Sequence, residues 1–85
     1  MSQLNVIFNR KEGPITIQCV ESEMFAEVAF KFFQKCGIEE TKQKDVSFIF
    51  EGKSLKVDSV LDLKALKIKD YSRIEVTSLQ EINGS

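Results

Sequence analysis

The chain has 85 residues, of which 42% are hydrophobic and 29% are charged, with one proline and four glycines. This length supports one hydrophobic core, and the composition excludes a disordered or low-complexity chain. Twelve basic and thirteen acidic residues give a net charge of -1, so no global positive field exists to hold a nucleic-acid backbone, and we expect no nucleic-acid partner. No apolar run approaches the ~20 residues of a membrane span, so we expect no membrane partner and a soluble protein of the cytoplasm or nucleus.

The two cysteines and the absence of histidine limit the chemistry that the chain can perform. Cys19 and Cys36 fall within apolar patterns, lack metal-like spacing and have no histidine that could complete a zinc site. We interpret both as reduced core residues; a disulfide between them is the alternative, disfavoured because no secretory signal precedes them. The sequence also lacks a glycine-rich phosphate loop and a cysteine beside a base, so we expect neither an enzyme nor a bound cofactor.

Two alternating segments near the start of the chain predict a β-hairpin. Hydrophobic residues recur at every second position over residues 4–8 and again over residues 15–19, which is the period of a half-buried strand. Between them, Gly13 supplies flexibility and Pro14 fixes the backbone at the start of the second strand.

A helix is predicted to begin after Ser22, interpreted as its N-cap, and to end near Cys36, with Gly37 placed for a left-handed C-cap. Apolar residues recur at three- and four-residue spacing and define the face that packs on the sheet. The residues on this face are Phe25, Val28, Ala29, Phe32 and Cys36.

Two further phenylalanines lie off the centre of that face. At about 100° per residue, Phe30 lies about 140° from Phe25 and Phe33 about 80°. We interpret Phe33 as a core residue. For Phe30 two interpretations stay open: an aromatic anchor for a partner protein, or a residue that widens the core.

The second half of the chain alternates strands with irregular segments. Residues 39–45 are charged without an apolar period and predict a surface loop. Residues 46–50 predict a strand, residues 51–53 a turn, and residues 73–77 a final strand. Between the turn and the last strand we expect a connection with a helical turn or two, anchored in the core by Leu61, Leu63, Leu66 and Ile68.

In this order the elements resemble ubiquitin and its relatives over about residues 4–79. The resemblance rests on residues 15–17 (ITI), on the helix and its exit at Gly37 and Ile38, on residues 48–55 (FIFEGKSL) and on residues 68–76 (IKDYSRIEV). It implies an α+β, ubiquitin-like β-grasp fold: a mixed four- to five-stranded sheet packed on one helix, with the first and last strands as parallel neighbours. We expect this domain over residues 1–79, followed by a flexible tail over residues 80–85.

The tail bears on the function that the resemblance implies. Ubiquitin is conjugated through two terminal glycines, because narrow active sites admit only residues without side chains, and here the tail holds one glycine, Gly84. We expect a non-conjugating, monomeric module for non-covalent protein–protein interaction, within a larger adaptor protein of the ubiquitin/proteasome system. One alternative is a modifier precursor whose glycine pair lies beyond this sequence. Another is a signalling or structural β-grasp, such as a small-GTPase binder that uses the edge of strand two with Arg10 and Lys11.

The resemblance also places the family's main docking patch on the open face of the sheet. Ile49 is similar to the central Ile of that patch, whereas Thr77 takes its Val position, Glu75 its His position, and Arg10 or Lys11 its loop Leu position. The implied partner is a ubiquitin receptor or a proteasome-type protein; the alternative is that Ile49 is a lone exposed apolar residue. The candidate partner-binding residues are Ile49, Ser47, Thr77, Glu75, Lys53 and Phe30.

Overall fold

Five strands form one mixed sheet that packs against a helix in residues 3–78, the part of the chain that a computed structural model describes. The elements are β1 (Gln3–Asn9), β2 (Ile15–Val20), α1 (Phe25–Cys36), α2 (Glu40–Gln43), β3 (Val46–Phe50), β4 (Lys53–Leu55) and β5 (Arg73–Ser78). The strand order is β2-β1-β5-β3-β4, with β1 and β5 parallel and the other neighbours antiparallel. The predicted α+β class is confirmed, and the architecture is compatible with a β-grasp. The predicted tail, 80–85, lies outside the described residues.

The core is built around a cluster of phenylalanine rings from both layers. Phe48 on β3 lies at its centre, with ring centroids 5.4 Å from Phe25, 5.7 Å from Phe8, and 5.7 Å from each of Phe32 and Phe33. Phe33 is buried as interpreted from its spacing. Edge-to-face and tilted rings at these separations add to the free energy gained from burial, so this cluster joins α1 to the sheet.

The predicted N-cap of α1 is wrong. The helix begins at Phe25 with Met24 as its N-cap, two residues after Ser22. The N–H of Met24 donates to Oε1 of Glu27 at 3.1 Å, which is half of a capping box. Glu27 three residues further on, rather than the serine, therefore determines where the helix starts.

The next N–H groups of α1 are paired with a distant part of the chain. The N–H of Phe25 donates to the carbonyl of Leu61 at 2.9 Å, and that of Ala26 to the carbonyl of Ser59 at 3.0 Å. The first N–H groups of a helix have no partner inside it. Here the carbonyls of Ser59 and Leu61 are their acceptors. Periodicity in a single sequence carries no sign of such a contact.

The connection between β4 and β5 corrects one expectation. It holds no named helix, but its turn at residues 63–67 includes a helix-type hydrogen bond from the N–H of Leu66 to the carbonyl of Asp62 at 3.1 Å. Leu63 and Ile68 are buried as predicted, but Leu61 is 52% exposed. The backbone carbonyl of Leu61 accepts the N–H of Phe25, while its side chain is directed away from the core.

The predicted loop over residues 39–45 contains one helical turn, α2. None of its residues is buried, so it has no apolar period that the sequence could reveal. The side-chain amide of Gln43 donates to the carbonyl of Ile38 at 3.3 Å and ties the turn to the exit of α1.

Both cysteines are free thiols, as interpreted. Cys19 is buried beneath α1, and Cys36 is half-buried at the end of that helix. Burial raises the pKa of the Cys19 thiol to about 11, with a smaller upward contribution from the Glu23 carboxylate that the Lys31 ammonium opposes. Cys19 is therefore a protonated, apolar-type core residue near neutral pH.

Candidate interaction surfaces

Four of the predicted site residues lie together on the open face of the sheet, the face turned away from α1. In the pairing of β3 with β5, Ile49 lies opposite Glu75 and Ser47 lies opposite Thr77. Between the two β3 residues, Phe48 is fully buried in the core. Since side chains alternate along a strand, these four point to the other face. We call this group of Ser47, Ile49, Glu75 and Thr77 the sheet patch.

The sheet patch is mostly polar. Ile49 is its large apolar side chain and is half-buried. The side-chain amide of Asn9, on the β1 side of Glu75, donates to Oε2 of Glu75 at 3.0 Å and orients the carboxylate. A second half-buried isoleucine on this face, Ile7, lies on β1, with β5 between it and β3. The open face therefore offers isolated apolar contacts with polar and charged neighbours.

Lys53 does not join the sheet patch. It pairs with Phe50, whose side chain is in the core, whereas Ser54 lies opposite Ile49. Lys53 instead lines a shallow groove of about 190 Å³ together with Leu66. Proximity in the sequence to Ile49 did not reveal this, because the register across the β3–β4 turn decides the face.

Two lysines of α1 reach the backbone of β2, the strand considered for a small-GTPase partner. The ammonium of Lys31 donates to the carbonyl of Gln18 at 3.4 Å, and that of Lys35 to the carbonyl of Thr16 at 3.1 Å. Arg10 donates from Nε to a carbonyl of its own hairpin at 3.1 Å. A partner strand that paired with β2 would have to displace both lysines.

A cavity of about 340 Å³ opens at the C-terminal end of α1. Its walls include Phe32 and the half-buried Cys36, whose pKa is raised by burial. The charged residues around it are two basic and two acidic, Arg10, Lys42, Glu12 and Asp45. With both signs balanced, the cavity does not select a ligand by charge.

Phe30 lies on the outer face of α1 and is 55% exposed, so the interpretation that it widens the core is wrong. It lines a groove of about 470 Å³ that follows the helix. The groove residues are Glu23, Ala26, Glu27, Phe30, Lys31 and Gln34. Phe30 is thus far from the sheet patch, with the sheet and the core between them.

Exposed apolar side chains concentrate near this groove. Among the described residues five large apolar side chains are exposed, and four of them belong to α1, to its N-cap or to the segment bonded to its first turn. With Ala26 they form what we call the helix band: Met24, Ala26, Phe30, Val60 and Leu61. Of these residues the sequence pattern indicates Phe30 alone, because nothing in the pattern around residues 60–61 distinguishes an exposed from a buried position.

Over residues 3–78, no helix is both long and apolar enough to cross a membrane, and no three or more His, Cys, Asp or Glu side chains are grouped to hold a metal ion. A scan against models of known protein families and a search of curated proteins find no match to the chain.

Proposed function

We propose that the chain is a ubiquitin-like module for non-covalent protein–protein interaction, part of an adaptor in the ubiquitin/proteasome system of the cytoplasm or nucleus, and not an enzyme. The observation that carries the proposal is the half-buried Ile49 on the open face of a β-grasp-compatible sheet, opposite Glu75. The resemblance of residues 48–55 and 68–76 to ubiquitin relatives supports the same surface. In this proposal the partner is a ubiquitin receptor or a proteasome-type protein.

The composition of the sheet patch defines what such a partner presents. Burying one isoleucine contributes about 1.5–3 kcal/mol, which is less than the several kcal/mol that association costs. Polar contacts with Ser47 and Thr77 and a charge contact with Glu75 have to supply the difference. Because Asn9 already orients the Glu75 carboxylate, a partner with a basic group beside a small apolar residue fits this patch.

Backbone amide shifts test this proposal directly. A peptide from a ubiquitin-receptor motif is titrated into the ¹⁵N-labelled chain, and shifts are expected at Ser47, Ile49 and Glu75. Ile49→Ala should weaken binding about tenfold, because the patch loses its main apolar contact. Phe30→Ala, on the far side of the molecule, is the matched control and should bind normally.

The outcome that would contradict the proposal is an absence of amide shifts around Ile49 with every receptor motif tried. The reading frame that follows Ser85 distinguishes the adaptor role from the modifier alternative. A glycine pair near its end would favour conjugation.

A further inference from the structure

We propose that the helix band, with the acidic residues beside it, is a docking surface for a basic amphipathic helix of a partner protein. This goes beyond the sheet-patch proposal, because the surface is on the other layer of the molecule and the partner has a different chemistry. Exposed apolar side chains scattered singly are ordinary, but contiguous ones mark interaction sites.

The apolar side chains of the band lie along the first half of α1 and on the segment bonded to its first turn. Ala26 and Phe30 are one helical turn apart and line the same groove. The N–H of Ala26 donates to the carbonyl of Ser59 at 3.0 Å, so the segment that carries Val60 and Leu61 lies against the first turn of the helix. Apolar side chains therefore extend from the start of α1 to its middle, and exposed aromatic residues such as Phe30 are the usual anchors of an interface.

The charge of this region is net negative. Residues 21–31 and 56–64 contain five acidic residues and three lysines, of which Lys31 lines the groove beside Phe30. The acidic residues are Glu21, Glu23, Glu27, Asp58 and Asp62. Within residues 3–78, Glu23 alone among them forms an ion pair, with Lys31 at 2.8 Å. The remaining carboxylates attract cations, so the partner carries lysine or arginine beside its apolar residues.

The backbone of α1 selects a helix rather than a strand as the occupant. The N–H groups at its start are already paired, with Glu27 and with residues 59–61. A partner strand laid here would bury N–H and C=O groups without partners, which is costly, whereas a helix pairs its own. Docking of an amphipathic helix in a groove is a recurring mode of recognition.

The test uses three synthetic peptides of about 18 residues, long enough to span the groove as a helix. The first has leucine on one helical face and lysine on the other; the second has glutamate in place of lysine; the third keeps the lysines but has two central prolines that break the helix. With the ¹⁵N-labelled chain, the leucine–lysine peptide should shift the amides of residues 24–30 and 59–62. The other two peptides should not bind at the concentration that saturates the first.

Single substitutions show which residues contribute to binding of the leucine–lysine peptide. Phe30→Ala should weaken binding about tenfold, because it removes the aromatic anchor. Glu27→Gln removes one charge while keeping an oxygen for the Met24 N–H, and should weaken binding about threefold. Ile49→Ala, the matched control on the open face of the sheet, should bind the leucine–lysine peptide normally.

Any of four results would overturn the inference. Phe30→Ala could bind as well as the unaltered chain, or the glutamate or proline peptide could bind as tightly as the first. A dimer of the chain that forms without peptide and is lost in Phe30→Ala would make a second copy the occupant. A peptide that shifts the sheet patch instead of the helix band would overturn this inference while leaving the sheet-patch proposal standing.

Discussion

The inner and outer faces of α1 carry the same residue type in opposite settings. Phe32 is completely buried against Phe8 and Phe48, whereas Phe30, two positions earlier, is 55% exposed. A residue's hydrophobicity therefore does not tell whether it supports the fold or a partner; its angular position on the helix does. The same substitution made on each face should separate these two contributions.

The largest expected effect is on the inner face. Phe32→Ala removes a ring that stacks on Phe8 at a centroid distance of 4.6 Å and contacts Phe33 and Phe48. A buried Phe→Ala substitution costs about 3–5 kcal/mol, which is much of the stability of a domain this small. Urea unfolding measures the loss. A cost below about 1 kcal/mol would contradict the assignment of this face to the core.

The second prediction concerns the burial of Cys19, which the pH dependence of the free energy of unfolding tests. The Cys19 thiol has a pKa of about 11 in the fold against an ordinary value of 9.0, because burial disfavours the thiolate. The folded state therefore holds its proton where the unfolded state releases it. This contribution to the free energy of unfolding is complete below about pH 9 and is lost as the pH rises toward about 11, by on the order of 2 kcal/mol.

Cys19→Ala is the control for this pH effect, because lysine and tyrosine titrate in the same range and act on both proteins. The stability of the unaltered chain should fall relative to that of Cys19→Ala between about pH 8 and about pH 11. A constant difference between the two across this range would show that the Cys19 thiol is not desolvated.

A smaller effect on stability is expected from Glu27, at the start of α1. Glu27→Ala removes the acceptor for the Met24 N–H and should cost about 1 kcal/mol. Glu27→Gln keeps an acceptor oxygen and should cost about half of that or less. Thermal or urea unfolding compares the two. Equal losses would mean that charge, rather than the hydrogen bond, stabilises this end of α1.

The inner face and the strands were predictable from the sequence because their signal is local. Alternation over residues 4–8, 15–19 and 46–50, and three- and four-residue spacing after Phe25, depend only on which side chains a helix or strand places together. The confirmed burial of Phe33 and the left-handed backbone at Gly37, with φ of 69°, belong to the same kind of local information.

What the sequence did not reveal depends on contacts between distant residues. The first helical N–H groups pair with residues 59–61, and the side chain of Leu61 in that segment is exposed. The register between β3 and β4 placed Lys53 on the opposite face from Ile49. Of the two candidate surfaces, the sheet patch could be predicted from a resemblance, but the helix band could not, because it joins two segments that are distant along the chain, residues 24–30 and 60–61.

The smallest expected effect on stability is that of a substitution on the outer face of α1. Phe30→Ala removes a ring that is largely in water already and replaces it with a better helix former, so the free energy of unfolding should change by no more than about 0.5 kcal/mol. Urea unfolding alongside Phe32→Ala provides the measurement. Because the fold stays intact, any loss of peptide binding in this variant reports on the surface alone. A loss of stability above about 2 kcal/mol would instead make Phe30 a structural residue and remove the anchor of the helix band.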